Sequence, residues 1–90
     1  MNKVVWKFSL LAQGEQAVKM PKGAEVLSAG IQREEAVIWA LVDEKSPDTC
    51  HTIYIRGTGH AFTGKEGRFI GTLTLMGGTL VYHVFDGKES

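Results

Sequence analysis

Gly77-Gly78 stands between two runs rich in β-branched and aromatic residues, Phe69 to Met76 and Thr79 to Phe85. A glycine pair suits the positive φ angles of a two-residue turn, so the two runs form a hairpin. Pairing outward from that turn sets Met76 against Thr79, Leu75 against Leu80, Leu73 against Tyr82 and Thr72 against His83. One face is then Leu73, Leu75, Leu80, Tyr82 and Val84, fit for a core. The other carries Ile70, Thr72, Thr74, Val81, His83 and Phe85, and is too apolar for open water.

Upstream, the alternation of Val4, Trp6, Phe8 and Leu10 with Val5, Lys7 and Ser9 has the period of a strand with one wet face, which predicts a strand over Val4 to Leu10. Gln13-Gly14-Glu15 reads as a turn, and Gln16 to Met20 as a weak strand closed by Pro21. Ala24 to Gln32 and Glu35 to Asp43 form a hairpin across Arg33-Glu34. Its second arm is apolar on both faces, with Val37, Trp39 and Leu41 on one and Ala36, Ile38, Ala40 and Val42 on the other, so it is central or lies at a subunit contact. Glu44 to Asp48 is an exposed loop, and His51 to Arg56 resumes as a strand. No window makes a helix, because good helix formers are interrupted by Gly14, Gly23 or β-branched neighbours.

The fold class is therefore all-β: a compact sandwich or barrel of about seven mainly antiparallel strands, one domain over residues 1–90. At 43% hydrophobic and 22% charged residues the chain is ordinarily globular. Two strands apolar on both faces in so small a domain predict self-association as a homo-oligomer. Ten basic and ten acidic residues cancel, leaving no field to hold duplex nucleic acid. The lone Cys50 forms no internal disulfide, and MNKVVWKF lacks the apolar block of a signal peptide, so the expected compartment is a reducing cytoplasm. The longest apolar run, Ala36 to Val42, is too short to span a bilayer.

Chemistry concentrates in Tyr54 to Arg68, YIRGTGHAFTGKEGR, where four glycines, two arginines, a lysine and His60 link two apolar strands. In Gly57-Thr58-Gly59-His60 the glycines permit successive N–H groups to turn toward one point, a concavity suited to phosphate or carboxylate oxygens. Arg56 and Arg68 would clamp the same group, and Tyr54, on the face opposite Ile53 and Ile55, would stack beside Arg56. The competing reading is structural: glycines that turn the chain and a histidine that caps the turn. The segment is not a dinucleotide fingerprint, since no third glycine stands in register and no helix follows. Cys50 and His51 diverge on a strand and no further ligands stand at zinc spacing, so neither a metal nor another cofactor is expected. Glu66 and Asp86, like the other carboxylates, read as solvated hairpin ends.

The segments VWKFSL, VKMPKGAEVLSAGIQ, IWALVD, IYIRGTGH, FIGTL and LVYHVF, in that order, resemble a family of small phage and bacterial proteins grouped as a domain of unknown function. The likeness covers nearly the whole chain, although relatives carry a proline after GTGH where this chain has Ala61. It implies a phage origin and brings no catalytic residues. A short, self-associating phage protein of neutral charge suits a binding role. The leading expectation is a non-enzymatic protein that sequesters a small phosphorylated ligand, such as a host immune nucleotide, between protomers at Tyr54, Arg56, Gly57, Thr58, Gly59, His60 and Arg68. The alternative is a module that contacts a host protein or packs into the virion. Phosphodiester cleavage by His60 and Arg56 comes third.

Overall fold

Period-two patterning is realised as two antiparallel sheets in the computed structural model, which describes residues 2–89. The first sheet has the order β1 (Val4–Ser9), β4 (Glu35–Val42), β3 (Glu25–Gln32). The second has the order β2 (Glu15–Pro21), β5 (Asp48–Gly57), β7 (Leu80–Glu89), β6 (Arg68–Leu75). Ile38, Ala40 and Val42 of β4 and Val26 of β3 form one apolar cluster with Met20, Ile53, Leu73 and Val84 of the second sheet, all at most 1% exposed. This is the single core of a two-layer sandwich.

The sheets meet along β3 and β6. Arg68 Nη2 donates to Val26 O (2.5 Å), and a Cβ on Gly71 would lie 3.7 Å from the Ala29 side chain. Both hairpins turn where expected, but the second tip is wider: Met76–Gly78 form a single 3-10 turn between Leu75 and Leu80, so Met76 and Thr79 do not pair as strand residues. Arg33 and Glu34 take positive φ (51° and 66°), as do Gly77 and Gly78 (66° and 96°), where Thr79 N–H closes the turn on Met76 O at 3.2 Å. The pairings Leu75 with Leu80, Leu73 with Tyr82 and Thr72 with His83 hold.

Ile70 departs from its assigned face. The β6–β7 register shifts between Phe69 and Gly71, so Ile70 is the extra residue of a bulge and packs against the core, while Phe69 takes the outer face opposite Phe85. The strand apolar on both faces, β4, is central in its sheet. Its outer residue Val37 is nevertheless 2% exposed, because Lys7 Nζ of β1 bonds Gln32 Oε1 of β3 and so bridges over β4. Trp39 lies over Gly30, where a Cβ would come within 2.7 Å of its ring.

The strand order has one topological consequence. Because β7 lies between β5 and β6 and is antiparallel to both, β5 and β6 run parallel, and residues 58–67 must cross back over β7. Gly67 ends that crossover at φ +83°, where an added Cβ would sit 2.0 Å from Asp86 O, whereas Gly64 at φ +92° has nothing within 4 Å. Urea unfolding should therefore separate the two. Gly64→Ala should cost about 1–2 kcal/mol of left-handed strain, and Gly67→Ala about 3 kcal/mol or more; equal costs would mean that Gly67 does not pass against β7.

Candidate functional site

The crossover lies on the outer face of the four-stranded sheet, since the Phe62 ring meets Phe85 edge-on at 5.3 Å. Its anchor is Glu66, fully buried in a chain whose carboxylates mostly reach solvent. Glu66 Oε2 accepts from Arg56 Nε (2.8 Å), Thr63 N–H (2.9 Å) and Thr63 Oγ1 (3.0 Å), and Oε1 accepts from Gly64 N–H (2.8 Å). Burial acts to raise its pKa. Hydrogen bonds from the main chain, Arg56 and Thr63 outweigh that and hold it at about 2, below the ordinary 4.5. Glu66 is thus no solvated hairpin end; loop and strand donors have replaced its water.

The residues expected to form a phosphate cradle are placed as follows. Arg56 donates through Nη1 to Gly14 O (2.7 Å) and Ile55 O (3.2 Å), besides its bond to Glu66, and lies 5.1 Å from the Tyr54 ring centroid. Tyr54 shares the outer face with Arg56, yet it is only 8% exposed, packed so tightly on Gly87 that a Cβ there would come within 2.5 Å of the ring. Gly57 to His60 form a turn. His60 N–H donates to Gly57 O (3.0 Å), and Gly57 N–H reaches back to His60 Nδ1 (3.3 Å). Thr58 Oγ1 meets His83 Nε2 (2.9 Å), and His83 Nδ1 meets Thr72 Oγ1 (3.0 Å).

Gly57, Thr58 and His60, with Thr79 to Tyr82, border an open hollow of about 380 Å³. Arg68 is not among them. It pairs with Asp86 in register and spends Nη2 on Val26 O and, at 3.4 Å, on Asp86 Oδ2, whereas Arg56 pairs with His83 and bonds Glu66. The structure brings Gly57, Thr58, Gly59 and His60 together, puts Tyr54 under Arg56, and does not bring the two guanidinium groups to one point. The turn-and-cap reading of the glycines and His60 describes this geometry.

A second polar cluster lies where the pattern of charges gave no sign of one. His51 Nε2 and Asp86 Oδ1 are 2.5 Å apart, both residues are buried, and Lys88 N–H donates to the same oxygen (2.8 Å). Beside them is a hollow of about 450 Å³, lined also by Ala24, Glu25 and Arg68. A carboxylate that orients an imidazole is the arrangement of a general base, provided the other ring nitrogen faces a substrate. Here Nδ1 is enclosed and has no hydrogen-bond partner, so no substrate proton reaches it. The cluster is a clamp between β5 and β7, with Arg68 tying it to β3. Its signal in the sequence was phase, since His51 falls in step with the inward Ile53 and Ile55, and Asp86 with the inward Val84. Among the described residues, no three His, Cys, Asp or Glu side chains are grouped to hold a metal ion.

Because the folded pKa of Glu66 is depressed, its contribution to stability is complete above about pH 4.5 and is lost as pH falls toward 2. Glu66→Gln should lower the melting temperature at pH 7, and the gap from the parent should narrow between pH 4.5 and pH 2. A gap independent of pH would remove the charge from the explanation.

No curated protein and no solved structure matches the chain. A family match runs from residue 1 to residue 90, and the chain belongs to that family, DUF7352, a domain of unknown function.

Proposed function

We propose that this domain acts by contact, binding another protein through the aromatic outer face of its four-stranded sheet, without turnover. The observation that carries the reading is the exposure of Phe62 and Phe69, 61% and 53%, on either side of Phe85, at ring distances of 5.3 and 5.6 Å. Full burial of a phenylalanine contributes about 1.5–3 kcal/mol, so two such rings amount to a sizeable share of a micromolar association. Their position is fixed beforehand. Phe69 continues a cross-strand row with Phe85, Tyr54 and Glu15, and Phe62 sits on a crossover held by Glu66, so little ordering entropy remains to oppose binding.

The resemblance to phage-type proteins makes a host protein, or a neighbour in the virion, the natural partner, met in the host cytoplasm. The domain would do this as a homo-oligomer. The tagged protein should retain one stoichiometric partner from host lysate, and the Phe62→Ala/Phe69→Ala variant should lose it while keeping the parent's melting temperature within a few degrees. No retained partner, or equal retention by both proteins, would count against the reading.

A second reading is favoured by the hollow beside Gly57, Thr58 and His60: a small phosphorylated ligand, such as a nucleotide signal, sequestered there. Arg56, bonded to Glu66, Gly14 and Ile55, does not support it, and Arg68, whose side chain is half exposed, does not line that hollow. Cleavage by His60 draws no support from a ring whose Nδ1 faces the Gly57 N–H. Millimolar cyclic nucleotides and ADP-ribose derivatives should raise the melting temperature by several degrees if the hollow is a binding site. No shift with any of them rejects it.

A further inference from the structure

We infer that β1 is a pairing edge for a second copy of this chain, joined antiparallel about a two-fold axis at Trp6. The exposed edges of the two sheets are not equally protected. The edge of β3 is bulged between Val26 and Ser28, lies beside β6, and has Val26 O capped by Arg68. β6 is bulged at Ile70. β2 carries Glu15 and Lys19 on its exposed face and ends at Pro21, which has no N–H to offer. β1, like β2, is regular along its whole register, but it contains no proline and leaves Val5 54% and Trp6 39% exposed, on opposite faces. The one charge on β1, Lys7, has its Nζ drawn across β4 to Gln32 Oε1, and an edge otherwise apolar is what such devices normally remove.

The free main-chain groups can be assigned by parity. Leu10 donates its N–H to Ala36 O of β4 (2.9 Å), so Val4, Trp6 and Phe8 turn their main-chain groups to β4 as well. Val5, Lys7 and Ser9 turn theirs outward. Leu11, next in the outward set, has both groups satisfied by the Gln16 amide at 2.8 Å, which marks where the open edge stops.

A second β1 can meet these outward residues only in registers that pair odd with odd. Centring on Val5 sets Lys3 against the partner's Lys7, and centring on Lys7 sets two lysines face to face; both are like-charge pairs. Centring on Trp6 avoids both. Val5 then faces the partner's Lys7 on the outer surface, Val4 faces the partner's Phe8 on the core side, and the two Trp6 rings meet at the axis. About four main-chain hydrogen bonds form between the Val5 and Lys7 pairs, and the two first sheets become one. This goes beyond the aromatic-face reading and does not depend on it.

Sedimentation equilibrium at protein concentrations on the order of 100 µM should give twice the 9.9 kDa chain mass. Val5→Lys, at an exposed position, should weaken the dimer at least tenfold, whereas Val5→Glu, facing the partner's Lys7, should keep or tighten it. In a Cys50→Ser background, oxidation should link Trp6→Cys chains across the axis and leave Val5→Cys chains largely unlinked. The Phe62→Ala/Phe69→Ala variant should keep the dimer mass. A monomer at these concentrations, equal effects of lysine and glutamate at position 5, linking of Val5→Cys as fast as Trp6→Cys, or loss of the dimer in the phenylalanine variant would each overturn the inference.

Discussion

The buried carboxylate of Glu66 decides what the glycine-rich segment is. A crossover of ten residues over a strand has few apolar contacts to hold it, and its main-chain N–H groups need acceptors. Glu66 accepts two of them, from Thr63 and Gly64, together with the Thr63 hydroxyl and the Arg56 guanidinium. A carboxylate so placed would be unstable without its cation, and a cation so used is withdrawn from solvent. The same contacts that fasten the loop therefore use Arg56 Nε and Nη1 within the chain. What the loop presents outward is Phe62.

The other buried polar groups follow the same economy. Gln16 closes the link between β1 and β2 by bonding both main-chain groups of Leu11 and, at 3.3 Å, the carbonyl of Gln13. Asp86 accepts from His51, Arg68 and Lys88, and so fastens the end of β7 to its neighbours. In a domain with so thin a core, polar side chains fix the loops and edges while apolar ones hold the layers together. The exposed rings and the β1 edge are what this arrangement leaves for the contacts proposed above.

Most of the architecture was legible because period-two alternation is local. Leu73, Tyr82 and Val84 could be assigned to the core from a glycine pair and a count, whereas Leu75 and Leu80, beside the turn, lie outside the core cluster. Ile70 could not be assigned so, since a bulge shifts phase without marking the residue where it occurs. The crossover was illegible for a different reason. That β7, last in the chain, inserts between β5 and β6 is a property of sheet order, and no residue in 57–67 announces it. Without that fact, four glycines and two arginines look like a cradle. With it, Gly67 is the residue that passes under Asp86 O, and Arg56 is the mate of Glu66. His51 and Asp86 were within reach of the sequence, because both continue the inward phase of their strands, but charge alone suggested the surface.

The central claim is that residues 58–67 form a fixed lid clamped by one carboxylate. Amide hydrogen exchange measured residue by residue on the native protein at neutral pH tests it most directly. The Thr63 and Gly64 amides should exchange about a hundredfold or more slowly than in an unstructured peptide, as strand amides do. Exchange of both at the free-peptide rate, with the β4 amides protected, would show a loop that Glu66 does not hold.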